Sequence, residues 1–276
     1  MIDPSCTDEE VKSLVTAIFH RYGLDFSGYE PKSFRRRLYR IMRLHDLPST
    51  ADLWIRILRE PEFIHEFVNQ LSVGLTAMFR DPFMWAALKL RLQDIKPTSR
   101  PLRIWHAGCS TGEEVYSMAI LLREINWSGR VEVWATDMNQ SALNVGENGH
   151  YPKMMLDQYA KHYTEYRPGG TLASYYTETG TGGQMDRSLV RNVRWVRHNL
   201  VTDPYPGQFD IIFCRNVMIY FDVPTKERLI PNFYNALRPG GLFIIGYFDA
   251  LVPLLERNEF MHLDRSTKLF QRTPED

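Results

Sequence analysis

Cysteine is scarce in this 276-residue chain. Cys6, Cys109 and Cys214 stand far apart, too few and too scattered for a metal knuckle or a disulfide framework, which fits a reducing compartment. Net charge is lacking as well: 33 Lys and Arg offset 33 Asp and Glu. No global field therefore draws the chain to nucleic acid or to an anionic membrane, and any polyanion site has to be a local patch. Apolar runs such as Leu242 to Phe248 fall far below the roughly 20 residues of a membrane-spanning helix. The opening MIDPSCTDEE is acidic and polar where a secretory signal is basic and then apolar, so a cytoplasmic protein without membrane insertion is expected. Internal repeats and low-complexity tracts are missing too. With 44% hydrophobic and 24% charged residues, the composition is that of an ordinary globular protein. The length allows one large α/β domain, or a catalytic domain of about 200 residues with a small appendage.

Helical periodicity dominates the first 90 or so residues. Thr7-Asp8-Glu9-Glu10 opens a helix whose buried stripe is Val11, Leu14, Val15 and Ile18, and Pro48-Ser49-Thr50 with Asp52 opens another. An all-helical N-terminal domain over 1–85 is expected, followed by a second domain over 86–276. From Pro101 onward, β-rich runs alternate with helical stretches: 102–107, 131–136, 193–199, 209–214 and 242–247. That alternation means an α/β fold with a doubly wound parallel sheet. Residues 151–192, which include Tyr163, Tyr166, Tyr175 and Tyr176 and the turn clusters Pro168-Gly169-Gly170 and Gly180-Thr181-Gly182-Gly183, are too long for a simple connection and read as an inserted β-rich subdomain.

The first strand runs into Ala107-Gly108-Cys109-Ser110-Thr111-Gly112-Glu113-Glu114. Glycines at such a turn let the backbone approach a ligand, and the orphan amides of the following helix supply donors. A dinucleotide pocket would carry three glycines to cradle a pyrophosphate, whereas here Glu113 and Glu114 place negative charge where that anion would sit. A cationic, phosphate-free ligand such as S-adenosylmethionine suits them better. The second strand ends in Thr136-Asp137, a carboxylate placed to accept from ribose hydroxyls. Strand ends face the ligand crevice, so Arg215, Asn216 and Tyr220, in the run after the fourth strand, point at the reaction. The Asn/Asp-Pro-Pro-aromatic run of amine-methylating nucleic-acid enzymes is missing there. Asp203-Pro204-Tyr205-Pro206 lies before the strand and reads as a turn.

Five ordered segments, LTAMFRD (75–81), STGEEVYS (110–117), ATDMN (135–139), HNL (198–200) and CRNVMIYFD (214–222), resemble the chemotaxis receptor methyltransferases, the CheR family, across nearly the whole chain. The resemblance implies a Rossmann-like S-adenosylmethionine-dependent methyltransferase domain behind a helical receptor-recognition domain. It implies methyl transfer to glutamate side chains of bacterial chemoreceptors, forming γ-carboxyl methyl esters. By motif match it places Thr76, Arg80, Glu113, Asp137, Asn199, Leu200 and Arg215 at the cofactor, beside the Gly108 and Asn216 backbone turns, with Arg80 and Tyr220 close to the methyl group. Two positions depart from the family: Gly74 where many members have Asn, and Gly246-Tyr247-Phe248-Asp249 where Gly-His-Ser-Glu is common.

A glutamate carboxylate, with a reference pKa of about 4.3, is already an anionic nucleophile at neutral pH and requires no general base. Joining an anion to a sulfonium destroys both charges, so Arg80 and Arg215 are expected to orient carboxylates and not to activate them. No metal is called for. In the run from Ser33 to Arg43, Phe34, Leu38 and Ile41 share one helical face and Arg36, Arg40 and Arg43 the opposite one. In the family this helix meets the receptor's helical cytoplasmic region, whose glutamates complement such a stripe. In some members the inserted subdomain binds a receptor C-terminal tether peptide by strand addition. Two alternatives stay open: a methyltransferase acting on RNA, and a cofactor-sensing signalling module without turnover.

Overall fold

The structure, a computed structural model, describes residues 6–71, 76–95, 98–264 and 266–274; Gly74 lies outside them. Five helices come first: α1 (Asp8–Tyr22), α2 (Pro31–Leu44), α3 (Thr50–Arg59), α4 (Phe63–Leu71) and α5 (Pro82–Asp94). Their starts follow the sequence punctuation. Thr7 and Glu10 close a reciprocal capping box on α1, and Ser49 accepts from the Asp52 amide at α3. Leu14, Ile18, Phe34, Leu38, Ile41, Leu53, Ile57 and Phe67 form the core of α1 to α4. Met78, Phe79, Met84 and Trp85 pack instead against the sheet that follows.

That sheet is built from β1 (Leu102–Ala107), β2 (Val131–Asp137), β6 (Val193–Arg197), β7 (Phe209–Cys214), β8 (Leu237–Ile245), β9 (Phe260–Asp264) and β10 (Leu269–Arg272), with α6 (Glu113–Glu124), α7 (Gln140–Asn148), α9 (Val223–Ala236) and α10 (Val252–Arg257) among its connections. The strand order is β6-β2-β1-β7-β8-β10-β9. The first five are parallel and form the doubly wound part; β10 and β9 add an antiparallel edge. One core packs each face of the sheet: Ile104, Ala135 and Phe213 with α6 on one side, Trp105, Ile212 and Phe243 with α9 on the other.

The segment expected to be β-rich is half helical. β3 (His150–Pro152), β4 (Tyr176–Thr179) and β5 (Gly182–Met185) make a three-stranded antiparallel sheet, but between β3 and β4 runs α8 (Lys153–Tyr166). Tyr159, Tyr163 and Tyr166 fall on one face of that helix and are buried in the main core. The Glu124 carboxylate accepts from the Tyr163, Tyr166 and Tyr175 hydroxyls at 2.5, 2.8 and 3.3 Å. Tyr163 and Tyr166, which read as hairpin residues, are therefore helix-face residues bound to a buried acid, whereas Tyr176 does lie in the antiparallel β4–β5 pair, and the insertion shares the core of the sheet.

Candidate active site

The carboxyl ends of β1, β2 and β7 converge under the N-terminal helices, and a cavity of about 390 Å³ lies between them. At the end of β1, the Gly108 and Cys109 amides both donate to the Thr136 carbonyl, at 2.8 and 2.9 Å. Gly108 has φ 79°, and a Cβ there would lie 2.4 Å from Val217 Cγ2, so only glycine lets this turn pass so close to its neighbour. Asp137, at the end of β2, accepts from the Ser110 amide at 2.8 Å and the Asn139 amide at 2.9 Å. Burial still raises its carboxyl above the usual range against those donors. Asn139 caps α7.

Thr76, Arg80, Gly108, Asp137, Asn199, Leu200, Arg215, Asn216 and Tyr220, drawn from segments up to 144 positions apart, all line this cavity. Glu113 does not. It is buried behind the wall, where the Thr111 hydroxyl donates to both its oxygens at 2.8 and 2.9 Å and the Tyr159 hydroxyl of α8 donates at 2.8 Å. Burial raises its pKa, and its role in this geometry is to tie the glycine turn to the insertion. Its neighbour Glu114 lies on the wall instead. Glu114 meets His106 Nδ1 at 2.8 Å and Arg215 Nη1 at 3.1 Å. Burial works to raise that carboxyl, but His106 and Arg215 outweigh it and hold it below the usual range.

Arg215 anchors carboxylates, and they are the protein's own: Nη2 donates to Asp81 at 2.6 Å and to the Arg80 carbonyl at 2.9 Å while Nη1 meets Glu114. This triad, with Arg215 buried and Asp81 partly exposed, fixes the loop bearing Arg80 against the end of β7. Several of these wall positions are conformationally costly. Ser110 and Asn216 on the wall, and Phe79 and Asp81 on either side of Arg80, all have positive φ without being glycine.

Arg37 is not among the residues the sequence nominates, yet it lines the cavity. Its Cζ lies 4.2 Å from the centre of the Tyr220 ring, and Nη1 donates to the Leu71 carbonyl. Only 7% exposed, it has no carboxylate within ion-pair distance among the described residues. The signal was present: at 100° per residue Arg37 falls with Phe34 and Ile41, an arginine on the buried face. Tyr29 stacks parallel to Tyr220 at 6.4 Å. The Glu30 amide donates to the Tyr220 carbonyl at 2.8 Å, and the Asp222 amide to that of Gly28 at 2.9 Å. The helical unit thus holds Tyr220 by backbone and by ring. Arg36 lies at the junction of the cavity with a cleft of about 740 Å³ that Arg40 and Arg43 also line.

Residues 9–72 match the CheR methyltransferase all-alpha domain, and residues 74–267 match the CheR methyltransferase SAM-binding domain. The chain belongs to the CheR methyltransferase family. Similar relatives include chemotaxis protein methyltransferase 2 of Pseudomonas aeruginosa, 33% identical over 89% of this chain and 88% of the relative. The chemotaxis protein methyltransferase of Klebsiella aerogenes is 31% identical over 87% and 83%, and that of Escherichia coli 29% identical over 97% and 90%. This CheR-family chain is an S-adenosylmethionine-dependent methyltransferase of the chemotaxis type, and no described helix is long and apolar enough to cross a membrane.

The wall suits that cofactor. The Asp137 carboxylate lines the cavity, an acceptor of the kind ribose hydroxyls match, and Gly108 brings bare backbone to the wall where a Cβ would run into Val217. The buried Asn199 Nδ2 and His198 Nδ1 have no hydrogen-bond partner among the described residues, a donor and an acceptor of the kind a purine edge matches. His198 Nε2 faces the Pro204 carbonyl at 3.2 Å, and burial lowers the ring's pKa, so the imidazole is neutral with Nδ1 free to accept.

Proposed function

We propose that this chain methylates glutamate side-chain carboxylates of bacterial chemoreceptors in the cytoplasm, making γ-glutamyl methyl esters. The observation that carries the reading is the continuity of the α2 cleft with the cavity. Arg36 and Arg37 belong to both, and Arg40 and Arg43 extend the basic surface outward. An acidic receptor helix laid along Arg36, Arg40 and Arg43 presents a glutamate to the cavity without leaving the positive field.

When bound, S-adenosylmethionine supplies a methyl group on a cationic sulfur, held by Asp137, Asn199, Leu200 and the backbone at Gly108 and Asn216. The residues around Thr76, Arg80 and Tyr220 complete the acceptor side. An ionised glutamate needs no proton removed, so their task is alignment. Arg37, buried without a paired carboxylate, steers the incoming carboxylate and fixes the Tyr220 ring, and the hydroxyl of Tyr220 orients the attacking oxygen. Arg215, already bound to Asp81 and Glu114, acts by holding the Arg80 loop. In this reading residues 1–85 recognise the receptor and lend Arg37, Thr76 and Arg80 to the acceptor side of the cavity, while residues 86–276 supply the cofactor wall and the rest of the chemistry. The three-stranded sheet of β3, β5 and β4 leaves β4 at an exposed edge for a tether peptide.

The test is transfer of labelled methyl to a receptor cytoplasmic fragment. Arg40→Glu with Arg43→Glu should raise KM for the fragment at least tenfold, with no retention of the parent chain on RNA. Label entering RNA, or equal KM in parent and variant, overturns the reading.

A further inference from the structure

Phe248 stands apart from the other residues of the cavity wall. It follows the end of β8, lines the cavity, and is nevertheless 76% exposed. Its ring has no aromatic partner among the described residues. The turn beneath it is fixed on both sides. The fully buried Asp249 carboxylate accepts from the Gly246 amide at 2.6 Å and the Asn216 amide at 2.9 Å, and the Asp249 amide closes back on the Gly246 carbonyl at 3.2 Å. The Tyr247 hydroxyl donates to the Ser266 carbonyl, and Leu251 is buried in the core. A large apolar ring is thus held out at the cavity mouth by a turn whose neighbours are anchored inward.

An aromatic side chain offers roughly 150–250 Å² of apolar surface, and a rigidly presented one is the usual anchor of a protein contact. It offers no hydrogen bond or charge, so it discriminates by the apolar character of what lies against it. Acidic groups on the same partner are already served by Arg36 in this cavity and by Arg40 and Arg43 beyond it. On a helical acceptor, the residues one turn from the modified glutamate lie about 5.4 Å along the axis on the same face, within reach of a neighbouring wall side chain.

Resting on the reading of the acceptor as a receptor helix, we infer that Phe248 is a specificity-determining residue, packing on an apolar side chain three or four positions from the modified glutamate. Receptor glutamates flanked at that spacing by an apolar residue are the preferred substrates, and those flanked by a polar one are discriminated against.

The experiment compares the full chain with Phe248→Ser and Phe248→Leu on receptor fragments that differ only in Leu or Ser one turn from the acceptor glutamate. The parent chain should prefer the Leu fragment roughly tenfold in kcat/KM, with the difference in KM. Phe248→Ser should reduce that preference below about twofold, and Phe248→Leu should keep most of it. Calorimetry should give the same S-adenosylhomocysteine affinity in all three. A preference that survives in Phe248→Ser overturns the inference, as does a parallel loss of S-adenosylhomocysteine affinity, which would put the ring on the cofactor. Absence of transfer to any fragment by the parent chain overturns the receptor reading as well; transfer without a Phe248-dependent preference overturns this inference alone.

Discussion

Asp249 joins two turns with one carboxylate, and the position carries a measurable electrostatic penalty. Burial pushes its pKa up to about 6, with the Asn216 and Gly246 amides and the nearby Arg215 opposing the rise. Between the ordinary carboxylate pKa and that value, the folded chain retains a proton that the unfolded chain has released. The stabilising contribution is therefore complete below about pH 4 and is lost as pH climbs through about 6. In urea unfolding from pH 4 to 6.5, the parent chain should lose up to roughly 3 kcal/mol relative to Asp249→Asn, whose amide oxygen can still accept from both backbone donors. Parallel pH profiles would contradict this. The sequence marks 246–249 as a departure from its relatives, but burial of Asp249 and exposure of Phe248 emerge only once the β8 turn closes onto Asn216. Arg37 teaches the same lesson in reverse. Its place on the buried face of α2 is legible from the helical wheel, whereas the stacking on Tyr220 requires residues 183 positions apart to meet.

Elements differ in how openly they announce themselves. β1 and β7 coincide with the runs expected at 102–107 and 209–214, because central parallel strands are buried on both faces and read as continuous apolar stretches. The antiparallel edge, β9 and β10, is short and half exposed and has no such signature. In α8 the stripe is Tyr159, Tyr163 and Tyr166 at helical spacing, but hydroxyl-bearing rings beside turn clusters imitate a hairpin. The helix matters because Tyr159 reaches Glu113 at the start of α6. Tyr159→Phe should leave the circular dichroism spectrum unchanged while costing roughly 1–3 kcal/mol in denaturant unfolding, since the buried Glu113 carboxyl loses a donor. A cost within error of zero would show that the link between insertion and glycine turn is incidental.

On the scale of the whole molecule, a methyltransferase sheet and the N-terminal all-alpha unit share one cavity. The sheet contributes the strand-end carboxylate Asp137 and the wall from Gly108 to Asn216; the helical unit contributes Tyr29, Arg36 and Arg37 and clasps the loop bearing Tyr220. In the proposed reading, a partner along α2 would touch the wall of the same cavity, because Arg36 and Arg37 line both it and the α2 cleft. All of this depends on the crevice over the strand ends accepting a methyl donor that carries positive charge and no phosphate. Isothermal titration of the intact chain with S-adenosylmethionine and S-adenosylhomocysteine tests that most directly. The account predicts saturable binding of both at the same site, weakened at least tenfold, about 1.4 kcal/mol, by Asp137→Ala without loss of fold. No heat with either compound, or tighter binding of a nicotinamide dinucleotide, would contradict it.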